Sequence, residues 1–359
     1  MKRILLEEKH KNLGAKFIEF GGWNMPVHYG GIITEHNAVR NNVGMFDVSH
    51  MGKFFVAGNE SQKFLSASFP ADIDNMKIGK GVYTQLLNET AGIIDDLIIY
   101  KISETEYLII VNAANIEKDF KKLNELKINF EVSILNMSEN YCIFAIQGKN
   151  SFPVIDEIFN LNSREIKRFN FIEFNYKNSR CFICRTGYTG EDGFEIVPEN
   201  IAAPEIFDLL AGEIKVLNGS MCGLGCRDTL RLEAGYMLHG NDIDETTTPV
   251  EAGLEWSVKG RGYKSEDIIK DQIKNGVKKK LSGFAAEDKG ILRAHCNILY
   301  DKRVIGQITS GTFSPTLGKS IGIGYVKSEY LSKDLDLFAD VRGKLLKIKI
   351  VKLPFLKKI

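Results

Sequence analysis

Two carboxylates stand side by side in Gly92-Ile-Ile-Asp-Asp-Leu-Ile-Ile-Tyr100, a run otherwise wholly apolar. Aspartate is a poor strand former, and burying a carboxylate without partners is expensive, so something must compensate. One reading is a bulge or strand end where both acids meet water. The other is that one aspartate points into a pocket to bind a cationic or N–H-rich ligand, or to handle a proton, while its neighbour faces solvent on the opposite side. A third carboxylate, Glu195, alternates with Phe194 and Ile196 after Arg185-Thr-Gly-Tyr-Thr-Gly-Glu-Asp-Gly193. The Asp192-Gly193 dipeptide and a plain hairpin account for the glycines, but not for an acid inside that strand, which suits a ligand-facing group. Tyr188 and Glu191 lie nearby. Arg227 and Arg231 in CGLGCRDTLRLE share one helical face, either as a solvated or ion-paired face or as an anion clamp built on planar guanidinium groups.

Other groupings carry the right residue types in the wrong geometry. Asp47, Ser49 and His50 resemble a hydrolase triad, but in a strand His50 points away from the other two. GTFSPTLGKS (311–320) has six residues between its glycines where a phosphate loop has four, and Ile321-Gly-Ile-Gly-Tyr325 reads as strand where a helix is required. Cys181 and Cys184 sit three apart in an apparent strand, so with Cys222 and Cys226 they read as buried free thiols, not zinc ligands. NDIDETTTP (241–249) starts like a calcium loop but has Thr247 where the glycine belongs, and reads as a solvated loop.

The elements that must hold these groups follow from pattern. Val82–Leu87, 93–102 and Tyr107–Val111 predict an antiparallel meander, and Ile116, Phe120, Leu123 and Leu126 predict a covering helix with Asn112 or Asn115 as its N-cap. Cys142–Gln147 and Arg180–Arg185 read as strands, and Pro204–Leu210 and 227–238 as helices. The pattern breaks near 274–283, and the remainder alternates short strands with glycine turns, predicting a C-terminal all-β domain. Its last strand, Leu346–Lys352, sets Lys347 and Lys349 opposite Ile348 and Ile350, as a lysine-protected edge would.

Composition narrows the function. The chain has 359 residues, 44% hydrophobic and 26% charged, enough for two or three packed domains. Lys plus Arg number 47 against 46 Asp plus Glu, a net charge of +1, which argues against a generally nucleic-acid-coating protein. No apolar run is long enough for a membrane span, and MKRILLEEKHKN lacks the apolar core of a signal peptide. The expectation is a soluble cytoplasmic protein with its six cysteines reduced.

GGWNMPVHYGGI, NVGMFDVSHMG, NETAGIIDDLI, RTGYTGEDGFEI, CGLGCRDTLRLEAG and ITSGTFSPTLGKSIG occur in this order. In them the chain resembles the aminomethyltransferases, the T-proteins of the glycine cleavage system, over 10–355. The resemblance implies an α+β multidomain protein with three domains around a central cavity, two with antiparallel sheets and one a C-terminal β-barrel-like domain. It implies a discontinuous folate-binding domain (1–50 with 138–245), an inserted domain (51–137) carrying the catalytic acid, a connecting segment (246–276) and the barrel (277–359). The implied activity moves the one-carbon unit of an aminomethyl-dihydrolipoyl carrier protein to tetrahydrofolate as co-substrate, giving methylene-tetrahydrofolate, ammonia and the dihydrolipoyl carrier.

By position in the motifs, Asp96 matches the catalytic aspartate, leaving Asp95 structural. Glu195 matches the pterin-binding acid, Tyr188 and Tyr83 pocket aromatics, Met51 a cavity contact and Arg227 the motif arginine that binds the anionic or carbonyl end of the substrate or pairs with acids of the site. A positioned carboxylate suits this reaction, because folate amines are weak nucleophiles and the acid can take a proton and stabilise positive charge. Phe169 stands where relatives can carry tyrosine, and the tail LPFLKKI is short and basic. The same scaffold serves folate-dependent demethylases and a non-catalytic folate-binding accessory protein of iron–sulfur maintenance. The latter's cysteine is replaced here by Arg261.

Overall fold

A computed structural model describes residues 1–331 and 335–356. The acid pair lies on a five-stranded antiparallel sheet in the order Gly81–Leu87, Ile93–Lys101, Glu106–Val111, Gly52–Ala57, Ser133–Asn136. The meander expected from the apolar runs is present. Helices Ser61–Ser68 and Ile116–Leu126 cover one face, burying Phe64, Leu65, Ile116 and Leu123 against Phe54, Leu86, Leu97, Ile99 and Ile109. Phe120 and Leu126 pack at the margin of this core, so the helical stripe reads correctly. The expected cap does not form. Asn115 stands at the N-cap position, but no side-chain cap bond forms: the Nδ2 groups of Asn112 and Asn115 donate to the carboxylate of the neighbouring strand and so turn both side chains away from the helix start.

A six-stranded sheet packs against the other face. Its order is Phe171–Tyr176, Ser179–Cys184, Gly193–Pro198, Phe144–Gln147, Gly44–Asp47, Ser220–Met221, antiparallel except for the last pair. Strand alternation assigns its two faces. Phe144, Ile146, Cys181, Ile183, Phe194 and Ile196 face helices Ser151–Phe159 and Ala203–Val216, while Ala145, Phe182 and Cys184 join Phe55, Tyr100, Leu108 and Ile110 of the first sheet. Glu195, between Phe194 and Ile196, is thereby directed into the space between the sheets. The expected two-residue turn at Asp192-Gly193 is not there: 185–192 is a longer loop before the strand that begins at Gly193. Gly193 and Gly187 are needed because a Cβ at either would lie 2.5 and 2.1 Å from the buried Gln147 side chain.

The helix read at 227–238 spans Leu224–Glu233. It stops at Gly235, whose φ of +71° lets the Gly235 and Tyr236 N–H groups close back on Leu232 and Arg231, freeing 236–239 to turn into the site. Strands Lys279–Ala286, Asn297–Tyr300, Arg303–Ser314, Lys319–Lys327, Leu337–Val341 and Lys344–Val351 form a closed barrel, and Lys319 opens a strand, as the rejection of a phosphate loop requires. Closure overturns the edge-strand reading: Lys344–Val351 pairs on both sides, and Lys347 and Lys349 reach Asp336 and Glu287 at 2.8 and 3.2 Å. The solvated-loop reading of 241–249 also fails. Asp242 is buried, 2.7 Å from Arg231 Nη1, and accepts a 2.5 Å bond from the Thr309 hydroxyl of the barrel. All six cysteines are buried free thiols. Of the basic tail, Lys357, Lys358 and Ile359 lie outside the described residues.

Candidate active site

The strand carrying the acids is bulged. Leu86 pairs with Asp95 and Leu87 with Ile93, so Ile94 is the extra residue. A bulge was one of the two readings, but the acids do not meet water there. Asp95 is fully buried, and Asp96 is partly exposed toward the space between the sheets. In the other reading one acid points into a pocket and its neighbour faces solvent; here the neighbour, Asp95, is buried instead. Asp95 accepts hydrogen bonds from Asn112 N (3.0 Å), Asn112 Nδ2 (2.9 Å) and Asn115 Nδ2 (2.5 Å), which stand in for the missing cation. Asp96 accepts from the same Asn112 amide at 2.8 Å and from the Tyr83 hydroxyl at 3.1 Å. Burial, and then the charge of Asp95, push Asp96 up to about 6, against the pull of His239, Tyr83 and Asn112.

His239 reaches the same cluster from the loop beyond Gly235. Its Nε2 lies 3.2 Å from the Ile93 carbonyl, which can only accept, and its Nδ1 lies 3.0 Å from Asn115 Nδ2, an amide turned to donate by its bond to Asp95. The Ile93 carbonyl thus fixes a hydrogen on Nε2, and Nδ1 also lies 4.0 Å from Asp95 Oδ1.

Aromatic rings wall the space in front of Asp96. Tyr83 stacks on Trp256 at 5.4 Å with 20° between the planes, and Tyr188 stacks on Tyr236 at 5.8 Å and 26°. The Tyr188 hydroxyl donates to the Met237 carbonyl, which fixes the ring. Beyond Tyr188 lies Arg227, whose Nη1 is buried with no hydrogen-bond partner. The two arginines thus divide the two readings between them: Arg231 is ion-paired with Asp228 and Asp242, and Arg227 is held open. Glu195 accepts a 2.5 Å bond at Oε2 from Thr186, whose hydroxyl is 2.9 Å from that of Tyr100, and Oε1 has no hydrogen-bond partner among the described residues. Gln147 holds the loop from below, donating to the Thr186 carbonyl and accepting from Thr189.

Asp96, Tyr83, Tyr188, Arg227 and Glu195 therefore form one set, each partly exposed while most of its strand or helix neighbours are buried. Met51 stands one residue before Gly52, whose partner Val111 precedes Asn112, and packs half-buried against the core between the sheets. It touches none of the five by hydrogen bond or ring contact. Residue pattern alone missed Asn112, Asn115, His239, Trp256 and Asp119. A visible signal existed for the asparagines: two amides three apart directly after an apolar strand. Asp47, Ser49 and His50 do not form a triad; Asp47 binds His10 at 2.9 Å, while His50 is buried with its Nδ1 unpartnered.

Two clefts open elsewhere, one of 490 Å³ beside Gln62, Lys63, Asp74 and Arg261 and one of 340 Å³ beside Lys2, Trp23 and Tyr141. Neither includes the five site residues. The site offers a carboxylate pushed up to about 6, two stacked pairs of aromatic rings, and an acid and a guanidinium with unfilled hydrogen-bonding capacity. These are the parts that acid–base group transfer needs.

The comparisons make this specific. A model of the GCVT N-terminal domain matches residues 6–261, and one of the glycine cleavage T-protein C-terminal barrel domain matches 279–357. The aminomethyltransferase of Thermosipho melanesiensis is 43% identical over 357 residues, covering 99% of this chain and 97% of that protein. That of Staphylococcus saprophyticus is 42% identical, covering 98% and 97%. The crystal structure of glycine cleavage system aminomethyltransferase T from Bartonella henselae superposes with a TM-score of 0.92 at 34% identity, covering 99% and 98%. The chain belongs to the glycine cleavage T-protein family.

Proposed function

We propose that this chain transfers the one-carbon unit of an aminomethyl-dihydrolipoyl carrier protein to tetrahydrofolate. The observation that carries the reading is Asp96, a carboxylate held between Tyr83 and Asn112 at the mouth of an aromatic slot and titrating at about 6. The transfer breaks the C–S and C–N bonds of the carrier adduct and forms two C–N bonds. The two N–H hydrogens lost from the folate leave with the thiol and with ammonia, so atoms balance without an oxidant. Folate supplies the two nucleophilic nitrogens. Asp96 takes an N–H proton and opposes positive charge as it develops. The Tyr83–Trp256 and Tyr188–Tyr236 stacks supply the faces for a flat ring, Glu195 accepts from its N–H edge, and Arg227 donates to a carbonyl or carboxylate. Met51, half-buried next to Gly52, is assigned to the cavity wall by its place in the motif.

The domain reading is kept as part of this proposal: 1–50 with 138–245 as the folate-binding domain, 51–137 inserted, 246–276 connecting and 277–359 as the barrel. The membership of the two sheets and the barrel supports it. A cytoplasmic setting is supported by six free thiols, and among the described residues no helix is long and apolar enough to cross a membrane.

The test is Asp96→Asn. Tetrahydrofolate-dependent ammonia release from the aminomethylated carrier should fall by roughly a hundredfold or more, with folate binding in calorimetry retained. Unchanged release would overturn the assignment.

A further inference from the structure

Behind Asp95 lies a third carboxyl that the proposed reaction does not use. Asp119, on the helix Ile116–Leu126, is fully buried, and neither of its oxygens receives a hydrogen bond from an N–H or hydroxyl donor among the described residues. It follows Asn115 by four positions, the spacing that places two side chains on one helical face, and the Asn115 amide is 2.5 Å from Asp95 Oδ1. That spacing turns Asp119 toward the same carboxylate, whose charge acts on it more strongly than any other.

We propose that Asp119 is a permanently protonated positioning residue that donates its carboxyl hydrogen to Asp95, so that this back pair carries a single negative charge and Asp96 is the acid left to titrate.

The groups that face the cluster supply one imidazole and otherwise neutral donors. Strand Ile93–Lys101 brings Asp95 and Asp96, strand Gly81–Leu87 brings the neutral Tyr83 hydroxyl, and the residues before the helix bring the amides of Asn112 and Asn115. His239 turns Nε2 to the Ile93 carbonyl and sets Nδ1 3.0 Å from the Asn115 amide and 4.0 Å from Asp95 Oδ1. Tyr188 is an uncharged phenol whose hydrogen goes to Met237. The nearest cation on the helix, Lys118, pairs outward with Glu245 at 2.8 Å. Three ionised carboxyl groups with only the His239 imidazole among them would be costly in a buried setting. Asp95 and Asp96 each have donors that favour the ionised form, whereas Asp119 has none, so the proton resides on Asp119. Burial, then the charge of Asp95 and a hydrogen bond to it, hold Asp119 well above the usual carboxylate range. A neutral Asp119 anchors Asp95, Asp95 orients the Asn112 amide, and Asn112 orients Asp96.

The role in turnover rests on the aminomethyl-transfer reading, whereas the protonation does not, so two readouts separate them. Infrared difference spectra of the full-length wild-type protein at pH 8, with and without carboxyl-labelled aspartate, should show a protonated-acid carbonyl band, which Asp119→Asn removes. Its absence in the wild type would overturn the proposal without any variant having to fold. In the carrier assay, Asp119→Asn keeps a neutral donor. It should stay within about threefold of wild type with its acid limb unmoved, while Asp119→Ala should lose about tenfold or more in kcat. If Asp119 were ionised, Asp119→Asn would instead move the acid limb downward, and equal activity of the Asn and Ala variants would end the positioning role. Loss of Asp96 chemistry with the band intact would fault the transfer reading alone.

Discussion

The guanidinium carbon of Arg227 sits 4.7 Å from the centre of the Tyr188 ring. The ring holds the cation by its face and consumes none of its N–H groups. One helical turn later, Arg231 is fully engaged by Asp228, Asp242, the Tyr236 carbonyl and Ser310. Two arginines on one face have therefore been given opposite tasks. Arg231 ties the helix to the barrel, and Arg227 is held in place with donors in reserve.

Replacing Arg227 should therefore weaken ligand binding more than folding. Arg227→Gln is expected to raise the tetrahydrofolate KM about tenfold or more, with a melting temperature at or above that of wild type, because the removed charge has no protein hydrogen-bond partner at Nη1. Arg227→Lys should recover only part of the loss, since an ammonium neither stacks as a plane nor donates in a fork. Calorimetric folate titrations and thermal melts of the same samples check both halves.

The pH profile should report Asp96. The carboxylate form accepts the proton, so kcat/KM should fall as pH drops through about 6, the value expected for the free enzyme. The Tyr83 hydroxyl favours the ionised form by donating to it. Tyr83→Phe removes that bond while keeping the ring, so the acid limb must move to higher pH. A limb that stays put, or moves down, would place the titrating group elsewhere.

What could be read from the chain divides by sequence distance. The acid pair, the Phe194-Glu195-Ile196 alternation and the helical stripe of Ile116 to Leu126 are local patterns; the last two appear as expected, with Glu195 directed off the core face, and the pair stands out as the place where donors had to be supplied. Roles set by distant partners were not visible. Asp242 looks solvated until Thr309 arrives from 67 residues away, and Lys347 looks like edge protection until Gly283–Ala286 pairs beside it and closes the barrel. The Asn112 and Asn115 amides fit a capping signal equally well, and only the adjacent carboxylates, whose need of donors is greater, decide between the two uses. Gly44–Asp47 pairs with Phe144–Gln147 about a hundred residues on, a contact that local pattern could not have shown.

Glu233 should be the main electrostatic tie between the N-terminal half and the barrel. It is fully buried at the end of its helix. Its Oε1 accepts from Ser314 Oγ at 2.5 Å and Thr316 N at 3.1 Å. Its Oε2 accepts from Thr316 Oγ1 at 2.8 Å and Arg40 Nη2 at 2.7 Å, with His36 Nε2 3.3 Å away. Burial would raise this carboxyl, but hydrogen bonds from His36, Ser314 and Arg40, together with the charge of His36, overcome it and hold the group at about 2. Because the folded value is depressed, the stabilisation is complete above the ordinary carboxylate range and is lost as pH falls toward about 2. Glu233→Ala leaves Arg40 and two hydroxyls facing a void and should cost about 3–5 kcal/mol. Glu233→Gln keeps the shape and should cost less, while flattening the acid-side dependence of stability. Urea unfolding at pH 7 and pH 4, followed by intrinsic fluorescence and by hydrogen exchange of the barrel strands, distinguishes loss of this tie from general destabilisation. Early exchange confined to the barrel and the end of the helix is the expected signature, and uniform exchange across both sheets would contradict it.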